Sequence, residues 1–176
     1  WIILFEEKVI IGVIFCLSET LTKWWDTLSL KSSRMQNYRN LIVWQKGHEL
    51  TLEVYAITRT FPVNEQYGLT SQLRRASSSV PTNLAEGSGK LTDMDFRRFL
   101  SISFGSANEV EYLLFLSYCL EYLSEEDYNR LDTKCKEVKK MLASFIDKLG
   151  KRIFATFLCF LFLLVGSFIL INQGII

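Results

Sequence analysis

Residues 73–89 read LRRASSSVPTNLAEGSG. Leu73, Ala76, Val80 and Leu84 fall at helical spacing, and Leu69 extends the stripe one turn earlier. Pro81 sits inside this pattern. A proline there removes the N–H owed to the carbonyl four residues back and crowds that carbonyl, at a cost of about 3 kcal/mol or more. A stripe that continues on both sides of Pro81 predicts a helix over about 69–86 with a kink built at the proline, curving it around its neighbours. The small Ser77, Ser78 and Ser79 would let another helix approach, and their hydroxyls could bond the carbonyls released there. Gly87 and Gly89 are expected to cap the C-terminal end.

Working outward, three more helical segments emerge. Before the quoted stretch, Leu41, Trp44, His48, Leu52, Tyr55 and Ile57 recur at spacings near three and four, which marks them as a buried face. This segment ends before FPVNEQYG, whose Pro62 and Gly68 supply loop chemistry. After it, Thr92 followed by Asp95 reads as a helix N-terminus. Two stripes follow: Phe96, Leu100, Ser103, Ala107, Val110, Leu114 and Ser117, and beside them Phe99, Ile102, Leu113, Leu116 and Leu120. An apolar arc that wide predicts burial on more than one side, and so a subunit interface. The fourth segment starts at Ser124 with three acids in its first turn, which suits the helix dipole. Its stripe is Tyr128, Leu131, Cys135, Val138, Leu142, Phe145 and Leu149. Four amphipathic helices on short connections predict an all-α fold, an antiparallel up-down four-helix bundle over residues 35–150.

The ends differ from this middle. Residues 1–34 are apolar but broken by Glu6, Glu7 and Lys8, and read as an extension outside the domain, with Met35 as the natural start of the bundle chain. Residues 151–176 form an apolar tail. Within it Ile153 to Ile171 carries no charge, and at about 1.5 Å per residue a helix there would nearly match a bilayer core. That makes 153–171 a candidate transmembrane helix, with Lys148, Lys151 and Arg152 holding the bundle on the cytoplasmic side.

Charge is balanced: 20 Lys and Arg against 19 Asp and Glu, a formal net charge of +1. Bulk charge therefore gives no argument for nucleic acid, and any such argument must come from local clustering. The four cysteines have no paired spacing, which excludes a disulfide framework or a cysteine zinc site and suits a reducing cytoplasm. With a single histidine, His48, no His-based metal site or catalytic triad is supported, and His48 is expected to be a packed, hydrogen-bonded residue. No nucleotide-binding glycine motif, nucleophile elbow or metalloprotease motif is present; GSGK at 87–90 lacks the full phosphate-loop spacing. The reading is a non-enzymatic protein with no cofactor and no metal.

The stretches NLIVWQKGHEL, FPVNEQYGLTSQLRRASSSVPTNLAEGSGK and FRRFLSISFGSANEVEYLL resemble the four-helix-bundle family of 23S rRNA intervening-sequence proteins, across most of residues 36–149. That family also includes the accessory variability protein of diversity-generating retroelements. The resemblance implies a cytoplasmic homopentamer and, for the retroelement relative, work beside a reverse transcriptase with nucleic-acid binding. Relatives usually lack the first 34 residues and the apolar tail.

Arg74 and Arg75, with Lys90, Arg97 and Arg98 across the following turn, are the candidate nucleic-acid-binding residues. Because the helices are antiparallel, the two arginine pairs need not form one compact patch within one chain, but a cyclic oligomer would repeat each pair into a ring that could hold phosphates. The competing expectation is that Arg75 or Arg98 pairs with Glu86, Glu109 or Glu111 to hold helices or subunits together. LRRAS also has the form of a basophilic kinase site, but Ser77 falls inside the predicted helix and the reading is declined. Two functions remain. One is an accessory protein that binds structured RNA or an RNA-processing partner through basic surfaces. The other is a self-assembling scaffold, tethered to membrane if 153–171 inserts.

Overall fold

In the computed structural model, residues 37–172 are described, with side chains for 37–161; all lie in the unit Gln36–Ile176. The expectation for residues 1–34 lies outside the described residues. The described residues are helical without a strand. The helices are α1 (Ile42–Ile57), α2 (Leu69–Ser88), α3 (Asp93–Cys119) and α4 (Glu125–Asn172), with single 3-10 turns at Tyr38–Asn40 and Val63–Glu65. α1 packs on α2 and α4, α2 on α3, and α3 on α4, closing the four-helix bundle.

Three of the four helices begin where the sequence supplies a side-chain partner for an orphaned amide; α1, with Leu41 at its N-cap, has none. Thr92 Oγ1 accepts from the Asp95 N–H at 3.1 Å, and Ser124 Oγ accepts from the Asp127 N–H at 3.1 Å. α2 has no such cap at Gly68; instead the Glu65 carboxylate reaches forward to the Leu69 N–H at 3.0 Å. α3 stops at a Schellman-type turn in which the Tyr122 N–H reaches the Ser117 carbonyl at 2.9 Å. Glu121 takes the left-handed backbone (φ 60°) that glycine usually occupies there.

The core forms two apolar clusters. One gathers Leu50, Val54, Leu73, Ala76, Val110, Leu114, Leu131 and Cys135; the other gathers Val43, Val80, Leu84, Phe96, Leu100, Ala107, Val138 and Leu142. On α2 they meet between Ala76 and Val80, where Ser77 and Pro81 are also buried. α2 runs through Pro81 without interruption. The carbonyl that Pro81 leaves without a donor, that of Ser77, accepts from the Thr51 hydroxyl of α1 at 2.8 Å. Thr51 Oγ1 also lies 2.9 Å from the Gly47 carbonyl, so its one proton has two acceptors in reach. From the other side, Ser103 of α3 donates to the Val80 carbonyl at 2.8 Å. The donor at the proline is thus supplied by a neighbouring helix. The serines expected to supply it point back instead: Ser77 to the Arg74 carbonyl at 2.9 Å and Ser78 to the Arg75 carbonyl at 3.1 Å.

That contact corrects the expected face of α1. Its buried residues are Val43, Gly47, Leu50, Thr51 and Val54, whereas Leu52 is 58% exposed, Tyr55 is 43% exposed, and His48 is exposed. The close approach to α2 selects the small residues: a Cβ on Gly47 would lie 3.2 Å from Val80 Cγ1. Gly87 is likewise no cap. It lies inside α2, where a Cβ would come within 2.7 Å of Phe99 Cβ and 2.8 Å of Phe96 Cδ2, and Gly89 takes the C-cap position. The stripes predicted for the second helix, and the first of the two predicted for the third, are buried throughout. In the second stripe of the third helix, Leu113 is buried but Ile102 and Leu120 are each 44% exposed.

The α1–α4 seam is ionic. Glu49 pairs with Lys134 at 2.5 Å, Glu53 with both Lys134 and Arg130, and Lys46 with Glu137 at 3.4 Å. Lys134 holds the Glu49 carboxyl below its ordinary value, and Arg130, helped by Ser124, does the same for Asp127. A carboxyl lowered on folding stabilises fully above its ordinary pKa and loses that contribution as pH falls through the lowered value. Acid unfolding at low ionic strength should therefore gain slope below pH 4.5, the ordinary value for Glu49. Lys134→Ala should flatten that slope, and added salt should shrink it, because the groups are exposed. An acid titration followed by circular dichroism at two salt concentrations checks this; an unchanged slope in Lys134→Ala would show that the seam contributes nothing.

Candidate nucleic-acid interface

The five basic residues singled out in the sequence divide into tied and untied groups. Arg74 is half-buried. Its Nε donates to Thr58 Oγ1 at 2.7 Å, and its guanidinium lies over the Tyr55 ring, 5.1 Å from the centroid, so it joins α2 to α1. Arg97 lies along Gly150 of α4, its Nε 3.3 Å from the Ile146 carbonyl and 3.3 Å from where a Cβ on Gly150 would stand. Arg75, Arg98 and Lys90 are exposed, with the Lys90 ammonium 4.9 Å above the Phe99 ring.

Among the described residues none of the five is in an ion pair. Between the helices of one chain, neither Arg75 nor Arg98 pairs with Glu86, Glu109 or Glu111 among the described residues; Glu111 pairs with Lys139 of α4 instead. Asp93, the acid that opens α3 one turn before Arg97 and Arg98, pairs with Arg152 of α4. α4 thus pairs with Glu49 and Glu53 of α1 and with Asp93 and Glu111 of α3, whereas Arg75, Lys90 and Arg98 are in no ion pair among the described residues. As expected from the antiparallel arrangement, the two arginine pairs do not share one patch. Thirteen residues of helix separate Arg75 from the end of α2, about 20 Å along its axis, while Arg98 sits within two turns of the start of α3.

His48 is exposed rather than packed. Its ring stacks on Trp44 with centroids 5.1 Å apart and planes 9° from parallel. Tyr38 meets the same indole edge-on at 4.9 Å. Cys135 is buried, donates its S–H to the Ala107 carbonyl at 3.2 Å, and has its thiol pushed up to about 12 by burial, which leaves it inert near neutrality. Among the described residues no group of three His, Cys, Asp or Glu could hold a metal ion. No helix among them is long and apolar enough to cross a membrane. α4 does not end with the bundle at Gly150 but continues to Asn172; most of the 153–171 candidate, from residue 162 on, lies outside the residues whose side chains are described.

Sequence reasoning placed the basic residues but missed which of them the fold uses. The only signal available was positional: Arg74 lies on the flank of the buried Leu73–Val80 stripe, where a long side chain reaches the next helix. Arg74→Ala should cost about 1.5–3 kcal/mol, the range for a hydrogen bond from a charged donor. Arg75→Ala should stay within about 0.5 kcal/mol of the wild type. Urea unfolding of both variants measures the contrast; equal losses would contradict the division.

Comparison with known proteins places this geometry. The family model described as "23S rRNA-intervening sequence protein" matches residues 39–144, the four-helix region and little else. The chain is also similar to a solved structure from Bacteroides thetaiotaomicron VPI-5482, a protein of unknown function from the S23 ribosomal protein family. Identity is 30% and the TM-score 0.56, over 60% of this chain and 98% of that one. The comparison with curated proteins found no match. The chain belongs to the 23S rRNA-intervening sequence protein family.

Proposed function

We propose that this protein is a non-enzymatic, self-associating four-helix bundle that binds structured RNA, alone or with an RNA-processing partner, through the exposed cations of α2 and the start of α3. One observation carries the reading. Glu49 and Glu53 of α1 and Asp93 and Glu111 of α3 are matched with lysines and arginines of α4, yet the exposed Arg75, Lys90 and Arg98 have no carboxylate partner among the described residues. Exposed cations left without ion pairs on a nearly neutral protein are groups that phosphates can engage. Arg74 and Arg97 support that surface by fixing helix positions. The pentamer implied by the resemblance would repeat the three cations around an axis.

A scaffold without nucleic-acid binding is the second reading. It is favoured by the outward side of α3, where Tyr112 is 61% and Phe115 50% exposed. On this reading the exposed Phe154, Phe157 and Phe160, past the last buried core residue Leu149, begin the tether that 153–171 would form.

The test is anisotropy of a labelled ribosomal RNA hairpin with the full chain, beside the Arg75→Glu/Lys90→Glu/Arg98→Glu variant. If each chain neutralises three phosphates, wild-type affinity should fall roughly 40-fold between about 50 and 200 mM salt, and the variant should lose both affinity and slope. Absence of binding at low salt, or an unaffected variant of unchanged assembly state, would leave the scaffold.

A further inference from the structure

Of the α1 face that the sequence assigned to the core, Leu41, Trp44 and Ile57 pack partly against it, while His48, Leu52 and Tyr55 are on the surface. Trp44, His48 and Tyr55 follow one another at helical spacing along the side of α1 next to α2. Tyr38 extends the row at one end by its edge contact with Trp44. Each end of the row carries a guanidinium on an aromatic ring: Arg39 lies 5.3 Å from the Tyr38 centroid and Arg74 lies 5.1 Å from that of Tyr55. Trp44 is partly buried against the core, and the exposed His48 lies flat against it. The two acids of α1, Glu49 and Glu53, are turned to the opposite side and held by Lys134 and Arg130 of α4. The row is therefore aromatic, bounded by arginines and free of acids from its own helix.

From this geometry we infer that the Tyr38–Trp44–His48–Tyr55 row of α1 is a stacking platform for unpaired bases of single-stranded RNA, with Arg39 and Arg74 holding the flanking phosphates. The inference rests on the proposed RNA binding and deepens it, since it adds a mode of recognition that the cations alone do not provide. An exposed, pre-stacked ring offers a π-face that any base can extend, and this is how single strands are held without sequence readout. Unpaired bases also suit the platform better than a helix does, because bases in an A-form duplex present no free faces. The guanidiniums stay available: Arg74 spends its Nε on Thr58, which leaves its terminal N–H groups for phosphate. From Trp44 to Tyr55 the row spans about 16 Å of helix, room for a short run of nucleotides.

The experiment is anisotropy of a short fluorescein-labelled oligoadenylate, single-stranded and as a duplex, with the full chain and its His48→Ala and His48→Phe variants, light scattering being recorded on each. His48 is exposed, so neither change removes core packing. The single strand should bind more tightly than the duplex. His48→Ala should weaken single-strand binding about 5-fold or more, the effect of losing one stacked base. His48→Phe should restore it, and duplex binding should not move. Binding of the ribosomal hairpin through the cations with no response to His48→Ala would overturn the platform and leave the proposed function standing. A change of assembly state in His48→Ala would overturn it too, marking the row as a contact between copies. Failure of the wild type to bind any of the RNAs would overturn both.

Discussion

The hydrogen bond from Thr51 of α1 to the Ser77 carbonyl of α2 is the contact on which the arrangement depends. Pro81 leaves that carbonyl buried and without its helical donor, a cost no water can relieve in a packed interior. A donor from a neighbouring helix resolves it, and that donor must come close. Closeness in turn requires Gly47 beside Val80, and a hydroxyl rather than a larger apolar side chain at residue 51. Ser103 closes on the Val80 carbonyl from α3 in the same way. The proline thus acts as a polar register mark. The apolar stripes would tolerate small slips of one helix against another, but the bonds at Ser77 and Val80 form in one alignment.

Once α1 is turned so that Gly47 and Thr51 face α2, its other faces are determined. Glu49 and Glu53 swing toward α4 and meet Lys134 and Arg130; His48 and Tyr55 are left exposed, beside Trp44, which packs partly on the core. Arg74, one turn before Ser77, is brought over Tyr55 and onto Thr58. The surface chemistry argued to serve RNA is in this sense downstream of a core hydrogen bond. At α3 the Asp93–Arg152 pair engages one of the two acids in the turn before Arg97 and Arg98.

Much of this was legible in the sequence. The stripes of the second and fourth helices, the main stripe of the third, and the caps at Thr92 and Ser124 are patterns of period and position that hold whatever the tertiary partners are. The failures share one cause. Counting large apolar residues misassigned part of the face of α1, because its close approach to α2 buries Gly47 and Thr51 and leaves His48, Leu52 and Tyr55 exposed, while Leu41, Trp44 and Ile57 pack partly on the core. Gly87 was read as a cap for a similar reason: a glycine near a helix end signals a turn, and only the rings of Phe96 and Phe99 reveal that it is there for closeness. The five basic residues were found as types; which of them the fold consumes depends on contacts between helices, such as Arg97 along Gly150, that no spacing encodes.

The most direct test of the central contact is a double-mutant cycle in urea between Thr51→Val and Pro81→Ala. In the wild-type background, Thr51→Val leaves the Ser77 carbonyl without a donor and should cost about 1–3 kcal/mol. With alanine at residue 81 a backbone N–H becomes available to the same carbonyl, so the second Thr51→Val should cost clearly less, with a coupling of about 1 kcal/mol or more. Additive losses, equal within about 0.5 kcal/mol in the two backgrounds, would mean that Thr51 does not serve the proline, and that the register of α1 is set by something else.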